Sequence, residues 1–147
     1  MGVHSAEQQI EIAAPPEACF EAITDYETFT EWQEAVQAVD VQDRYPDGLG
    51  RTVALEVDAK VRKVNYRLRY HYERPTRIWW DFLEGEGIEH IEGEYLIEPE
   101  GEGTLVTYRV GIDPGIKVPG FLAGRLNKGV MRKSVEELKA EAERRQG

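Results

Sequence analysis

The chain has 147 residues, of which 41% are hydrophobic and 31% are charged, and its formal net charge is −10. This length fits one domain over residues 1–147, long enough to fold without disulfides or a structural metal. Its negative charge opposes the binding of phosphate backbones and anionic lipid surfaces, so we expect no nucleic-acid partner and no docking on such membranes.

Cysteine content and hydropathy narrow the class of protein further. The sequence has one cysteine, Cys19, so it forms neither an intramolecular disulfide nor a zinc site with two thiolates. Residues 1–9 lack the apolar core of a signal peptide, and no window approaches the ~20 apolar residues of a membrane span. We therefore expect a cytoplasmic protein without an integral membrane segment.

The start of the chain predicts one strand followed by two short helices. Isoleucines alternate with polar residues over 7–13, which indicates a half-buried strand. A proline pair ends this strand, and a helix is expected over 17–24 because proline is tolerated in a first helical turn. Asp25 fits the N-cap of a second short helix that contains Phe29 and Trp32.

Six further strands follow, separated by turns rich in glycine and proline. They are expected over residues 35–45, 51–58, 64–73, 77–84, 88–98 and 104–112. The clearest pattern is that of 64–73, where apolar and polar residues alternate without interruption. A strand of this length spans ~33 Å, so the sheet is expected to curl.

A long helix is predicted over 120–145. Leu122, Leu126 and Val130 recur every four residues, and a second apolar stripe begins at Met131, rotated by ~100° from the first. Either glycines bend this helix or its first half is buried on more sides than its last. The predicted fold class is α+β: a curved antiparallel sheet of six to seven strands wrapped around the long C-terminal helix.

Several local signatures accompany this order of elements. They are the segment Ile12-Ala13-Ala14-Pro15-Pro16-Glu17, the segment from Asp25 to Trp32, the triplet Gly93-Glu94-Tyr95, and Gly103-Thr104 before the last strand. Over nearly the whole chain they resemble the START-like, helix-grip superfamily, and within it the polyketide cyclase/dehydrase and lipid-transport family that includes coenzyme-Q-binding proteins. The resemblance is specific for the fold and says less about function, because one fold hosts many activities.

The resemblance implies a ligand cavity between the concave face of the sheet and the last helix. Such a wall would be apolar with tyrosine hydroxyls as its polar groups, which suits an apolar ligand with a few oxygens. The expected ligand-binding residues are Val53, Leu55, Tyr66, Leu68, Tyr70, Trp80, Phe82, Tyr95, Tyr108, Leu122, Leu126 and Val130. The alternative is that these residues fill the interior themselves and leave a small pocket or none.

No catalytic or metal-binding constellation is visible in the sequence. His71 and His90 fall on the polar faces of their strands, His4 lies in the N-terminal segment, and no two histidines have metal-ligand spacing. Cys19 lies on the packing face of a helix, where cysteine acts as a small apolar side chain. We therefore expect no catalytic residue, no metal and no cofactor.

Three functions are compatible with these patterns. The favoured one is the binding or transport of an apolar small molecule, such as a lipid, a quinone or a polyketide-like compound, without catalysis. The first alternative is an aromatase/cyclase-type enzyme that uses pocket tyrosines, assisted by Arg67 or Arg109 if a bulge turns one inward. The second is a protein-interaction module, with a protein partner or a homodimer bound through Trp79 and Leu83 on the outer face of the sheet.

Overall fold

The computed structural model describes residues 4–58, 63–113, 115 and 120–146, without the side chains of His4 and of 120–128. The elements are β1 (His4–Ile12), α1 (Pro16–Thr24), a 3-10 turn (Tyr26–Thr28), α2 (Phe29–Trp32), β2 (Val36–Arg44), β3 (Gly50–Asp58), β4 (Lys63–Glu73), β5 (Arg77–Glu86), β6 (His90–Glu100), β7 (Gly103–Asp113) and α3 (Gly120–Gln146). The strands form one antiparallel sheet in the order β1-β7-β6-β5-β4-β3-β2. The predicted fold class is confirmed.

The sheet begins earlier than the sequence pattern indicated. β1 pairs with β7 along its full length, from His4 opposite Ile112 to Ile12 opposite Thr104. Alternation was visible only around the two isoleucines, so the first residues of β1 are held by the ladder to β7 and not by an apolar pattern of their own.

Asp25 occupies the N-cap position of the 3-10 turn that leads into α2, but its carboxylate makes no capping hydrogen bond. Instead, Oδ2 of Asp25 accepts a hydrogen bond from Nη2 of Arg145 near the end of α3, at 3.1 Å. A charged donor on another element outcompetes a backbone N–H, because charge-assisted hydrogen bonds are stronger than neutral ones.

The second half of α3 seals the interior with its predicted second stripe. Met131, Val135, Leu138 and Ala142 are at most 2% exposed. Polar contacts fix the same helix against the end of β1 and the residue after it. Nζ of Lys139 donates to the carbonyl oxygen of Glu11 at 2.9 Å, and a carboxylate of the same helix accepts from the backbone N–H of Ala13 at 2.7 Å.

A buried carboxylate also ties the end of α3 to the segment after α1. Glu141 is 5% exposed and accepts hydrogen bonds from Arg144 at 2.6 Å and from Arg145 at 2.7 Å. Since Arg145 also contacts Asp25, the network joins both sides of the interface. A buried charge needs such partners, because an unpaired one is costly to desolvate.

The sheet opens between β5 and β6. Their ladder has four residue pairs and ends where Trp80 lies opposite Gly93. A Cβ at Gly93 would lie 2.6 Å from Cζ2 of Trp80 and would also collide with the carbonyl oxygen of Arg109. Glycine therefore lets the indole ring lie flat across β6 at the last point where the two strands are paired.

We expect Gly93→Ala to lower the free energy of unfolding by about 1–3 kcal/mol, because the added methyl group displaces the indole or the backbone. The matched control is Gly129→Ala on α3, where a Cβ meets no atom within 4 Å. That change should stabilise the protein by about 0.5–1 kcal/mol through helix propensity. Urea denaturation followed by circular dichroism measures both effects. Equal stability of Gly93→Ala and the wild type would contradict the packing described.

Candidate ligand cavity

A cavity of about 190 Å³ lies between the sheet and α3. Its described wall is built from β2 to β7, from the α1–α2 region, and from Val130 and Ser134 of α3. None of the described lining residues carries a charge. An apolar wall with few polar groups is typical of small-molecule sites.

Most of the expected ligand-binding residues meet at this cavity. Those in its wall are Leu55, Tyr66, Leu68, Tyr70, Trp80, Tyr95, Tyr108 and Val130. Leu122 and Leu126 have side chains outside the described part of the chain. That any of these residues binds a ligand stays a prediction.

Val53 and Phe82 are not among the lining residues. Val53 is fully buried in the core, near the ring of Tyr26, since both approach the same face of Gly50. The ring of Phe82 lies 5.6 Å from that of His90. Because the β5–β6 ladder ends before Phe82, its ring packs beside the residue that begins β6 and does not line the cavity.

Other lining residues were missed by the sequence analysis. Ile91 and Ile112 belong to strand faces already expected to point inward, so alternation could have found them. Tyr26 and Phe29 come from the short helical segments after β1. Elements of three or four residues are too short for periodicity to show which side faces the sheet.

The hydroxyl groups of Tyr26, Tyr45 and Tyr72 make hydrogen bonds within the protein itself. Oη of Tyr72 donates to the carbonyl oxygen of Gly50 at 2.6 Å. Tyr26 therefore acts as the donor in its 2.7 Å contact with Tyr72. Tyr45 donates to the carbonyl oxygen of Tyr70 at 2.7 Å. These bonds hold β4 to β3 and to the α1–α2 region, and they leave these hydroxyls no free proton.

Other tyrosine hydroxyls of the cavity wall are not fully hydrogen-bonded within the protein. Those of Tyr66 and Tyr70 have no hydrogen-bond partner within the described ranges. Tyr95 and Tyr108 are direct cross-strand neighbours on β6 and β7, with ring centroids 4.5 Å apart and planes within 9° of parallel. Their hydroxyls therefore lie side by side. The wall offers several phenol groups whose hydrogen-bonding capacity the described residues do not fill.

Burial keeps these phenols protonated. Desolvation raises the pKa of Tyr66, Tyr70 and Tyr95 well above the ordinary value of 10.0, and it raises the pKa of Tyr108 to about 12. At neutral pH the four side chains are neutral hydrogen-bond donors, and none is a phenolate base.

Trp80 adds an unusual polar atom to the same wall. The residue is 6% exposed, and its Nε1 is buried with no hydrogen-bond partner among the described residues. Its ring lies 5.7 Å from that of Tyr70 and 6.0 Å from that of Tyr95. A buried donor without a partner costs about 1–3 kcal/mol, so its presence beside the cavity needs a structural or functional explanation.

The arginines considered for catalysis lie outside the cavity. Nε of Arg67 donates to Glu84 at 2.7 Å. Arg109 bridges two carboxylates, donating to Glu7 at 2.7 Å and to Glu94 at 3.0 Å. No bulge turns either guanidinium inward, and both belong to cross-strand ion pairs on the outer face.

Polar side chains on the outer face cover part of the predicted interaction surface around Trp79. The guanidinium carbon of Arg77 lies 4.2 Å from the centroid of the Trp79 ring, and the His71 ring stacks on Trp79 at 5.4 Å. Leu83 is 38% exposed. Trp79 is thus flanked by two polar side chains, which leaves less open apolar surface than the sequence indicated.

In the part of the chain that the structure describes, no helix is long and apolar enough to cross a membrane. Within the same residues, no group of three or more histidine, cysteine, aspartate or glutamate side chains could hold a metal ion.

Comparison with known proteins assigns the family. Residues 3–143 match the family model described as polyketide cyclase / dehydrase and lipid transport. Since the match spans nearly the whole chain, the protein belongs to this family, as the resemblance in its sequence predicted. No curated protein matches the chain.

Solved structures agree on the fold. A START superfamily protein from Mycobacterium smegmatis is 20% identical, with a TM-score of 0.88 over 97% of this chain and 99% of its own. The protein TTHA0849 from Thermus thermophilus is 25% identical, with a TM-score of 0.77 over 96% of this chain and 95% of its own. The Zhui aromatase/cyclase from Streptomyces sp. R1128 is 20% identical, with a TM-score of 0.79 over 99% and 97% of the two chains. At these identities the likeness shows the fold alone.

The raised pKa values predict how the tyrosines titrate. Six of the seven tyrosines have a raised pKa in the folded state; they are Tyr26, Tyr66, Tyr70, Tyr72, Tyr95 and Tyr108. Unfolded tyrosines lose their proton near pH 10, so stability is retained below that pH and falls as the pH rises above it.

We therefore expect tyrosinate absorbance to rise in one cooperative step that coincides with the loss of circular dichroism. Gradual ionisation of most tyrosines around pH 10 with the circular dichroism unchanged would contradict the burial of these rings.

Proposed function

We propose that the protein binds or carries an apolar small molecule in the cavity between its sheet and α3, without catalysing a reaction. The observation that carries the proposal is the wall itself: a space of about 190 Å³ whose described lining is apolar, uncharged and equipped with phenol hydroxyls. Burial of apolar ligand surface supplies the affinity in such a site, and the few polar groups set orientation.

The chemistry of the wall supports binding over acid–base catalysis. General acid–base catalysis needs a group whose pKa lies near the working pH and which can reach the substrate. The described lining includes no carboxylate, imidazole, amine or guanidinium. The phenols present have pKa values moved away from neutrality. They are suited to hold a ligand by hydrogen bonds and poorly suited to remove its protons.

The size of the cavity limits the ligand. A dry protein cavity of ~150 Å³ is enough to hold benzene. The present cavity, at about 190 Å³, is a little larger and fits one substituted ring or two fused rings. A long acyl chain or a polycyclic polyketide exceeds this space, so we propose a compact ligand within the broader class of apolar molecules.

Filling the cavity should abolish binding. Ser134 lines the cavity from α3, so Ser134→Phe places a phenyl ring in the space that a ligand needs. We expect wild-type protein to bind the hydrocarbon tetralin in equilibrium dialysis, and Ser134→Phe to bind none.

The matched control is Ser134→Ala, which keeps the space open and should bind tetralin as the wild type does. Both variants should keep the circular dichroism spectrum of the wild type. If wild-type protein binds neither tetralin nor its ketone 1-tetralone, or if Ser134→Phe binds tetralin as tightly as the wild type does, the proposed function is wrong.

A further inference from the structure

Two walls of the cavity present hydroxyl groups to the same space. Tyr66 comes from β4, while Tyr95 and Tyr108 come from β6 and β7. All three line the cavity, and the ring centroids of Tyr95 and Tyr108 lie 4.5 Å apart. Three phenol groups from separate strands therefore converge inside an apolar space, where a polar group without a partner is costly.

The protein uses only part of this capacity internally. Tyr66 has no hydrogen-bond partner in the described part of the chain. Tyr95 and Tyr108 are hydrogen-bonded to each other, which leaves one of their two hydroxyl protons free. The satisfied hydroxyls of Tyr45 and Tyr72 show that the same fold readily pairs its phenols with backbone carbonyls elsewhere. Unfilled hydrogen-bonding capacity is thus found at the cavity wall, although the lining residue Tyr26 donates to Tyr72.

Trp80 gives a second and independent indication of a ligand. It lines the same cavity and is more than nine-tenths buried, yet its indole N–H has no partner among the described residues. Tyrosine hydroxyls and an indole N–H share one property, since all can donate a hydrogen bond. Apart from Gln33 and Ser134, the side chains of the described lining offer no acceptor other than the phenol oxygens, so a ligand that brings an acceptor would receive these protons.

The charge of the wall decides what kind of acceptor fits. No lysine, arginine or histidine is present in its described lining, so a buried carboxylate or phosphate on the ligand would have no counter-ion. Burying an unpaired charge is far more costly than burying a neutral carbonyl that accepts a hydrogen bond. The ligand group that accepts hydrogen bonds from this wall is therefore expected to be a neutral oxygen.

We propose that the cavity is specific for a neutral one- or two-ring compound that carries a carbonyl oxygen, and that Tyr66 and Tyr108 donate the hydrogen bonds that select it. This inference rests on the proposed function, because it names the ligand class of the same cavity. Tyr66 and Tyr108 are the specificity-determining residues, and the apolar wall supplies affinity for the ring system.

The test compares two compounds of nearly the same shape, 1-tetralone and tetralin, which differ by one carbonyl group. Equilibrium dialysis gives the ratio of their Kd values for the wild type and for the double variant Tyr66→Phe/Tyr108→Phe. Since each of the two hydrogen bonds is worth up to about a factor of ten in affinity, the preference for 1-tetralone should fall by about ten- to a hundredfold in the double variant. Affinity for tetralin should stay the same or rise slightly.

The control variant is Tyr45→Phe, whose hydroxyl bonds a backbone carbonyl and does not line the cavity. It should lose some stability and keep the wild-type ratio of Kd values. An unchanged ratio in the double variant, or an equal change in Tyr45→Phe, overturns the assignment while leaving the proposed function intact. If the wild type binds neither 1-tetralone nor tetralin, both the ligand assignment and the proposed function are wrong.

A third compound tests the requirement for neutrality. The carboxylic acid 1,2,3,4-tetrahydro-1-naphthoic acid, ionised at pH 7, should bind at least about tenfold more weakly than 1-tetralone, because its charge would be buried without a partner. Binding as tight as that of 1-tetralone would contradict the argument from the uncharged wall.

Discussion

One long helix has to cover a sheet of seven strands, and the rest of the structure follows from this mismatch. Strands spaced by about 4.8 Å make a seven-stranded sheet about 29 Å wide, whereas an α-helix with its side chains is about 10 Å across. The sheet must therefore curl, and even then the helix seals only part of the concave face. The second half of α3 packs against β1 and α1 with its fully buried stripe. The remaining face is left to large side chains and to the cavity.

The residues on the part of the concave face that α3 does not cover explain why the cavity is uncharged and rich in hydroxyl groups. Aromatic rings fill wide gaps efficiently, and tyrosine brings a hydroxyl with every ring. Where a backbone carbonyl is within reach, as for Tyr45 and Tyr72, the hydroxyl is satisfied. Around the cavity, the hydroxyls of Tyr66 and Tyr70 have no partner among the described residues. Charged residues are placed on the opposite face of the same strands, where Arg67 and Arg109 pair with carboxylates. The alternation of the strands thus separates a neutral interior from a charged exterior.

The sequence was informative where a pattern is local and periodic. The uninterrupted alternation of β4 identified its inward residues, including Tyr66, Leu68 and Tyr70, because side-chain direction in a strand depends only on position. It was uninformative where contacts with distant elements decide the position of a side chain. Asp25 has the local pattern of an N-cap, yet its partner, Arg145, lies 120 residues away. Likewise, Phe82 continues the alternation of β5, but the end of the β5–β6 ladder places its ring beside His90.

A carbonyl ligand should enter the inner cavity and should not bind on the outer face of the sheet. The three tryptophans provide separate indole signals in an NMR spectrum: Trp80 lines the cavity, Trp79 stacks on His71 on the outer face, and Trp32 donates to Thr28. On titration with 1-tetralone, the indole N–H signal of Trp80 should shift strongly while that of Trp79 stays in place. A shift confined to Trp79, or no shift in any of the three, would contradict the central claim.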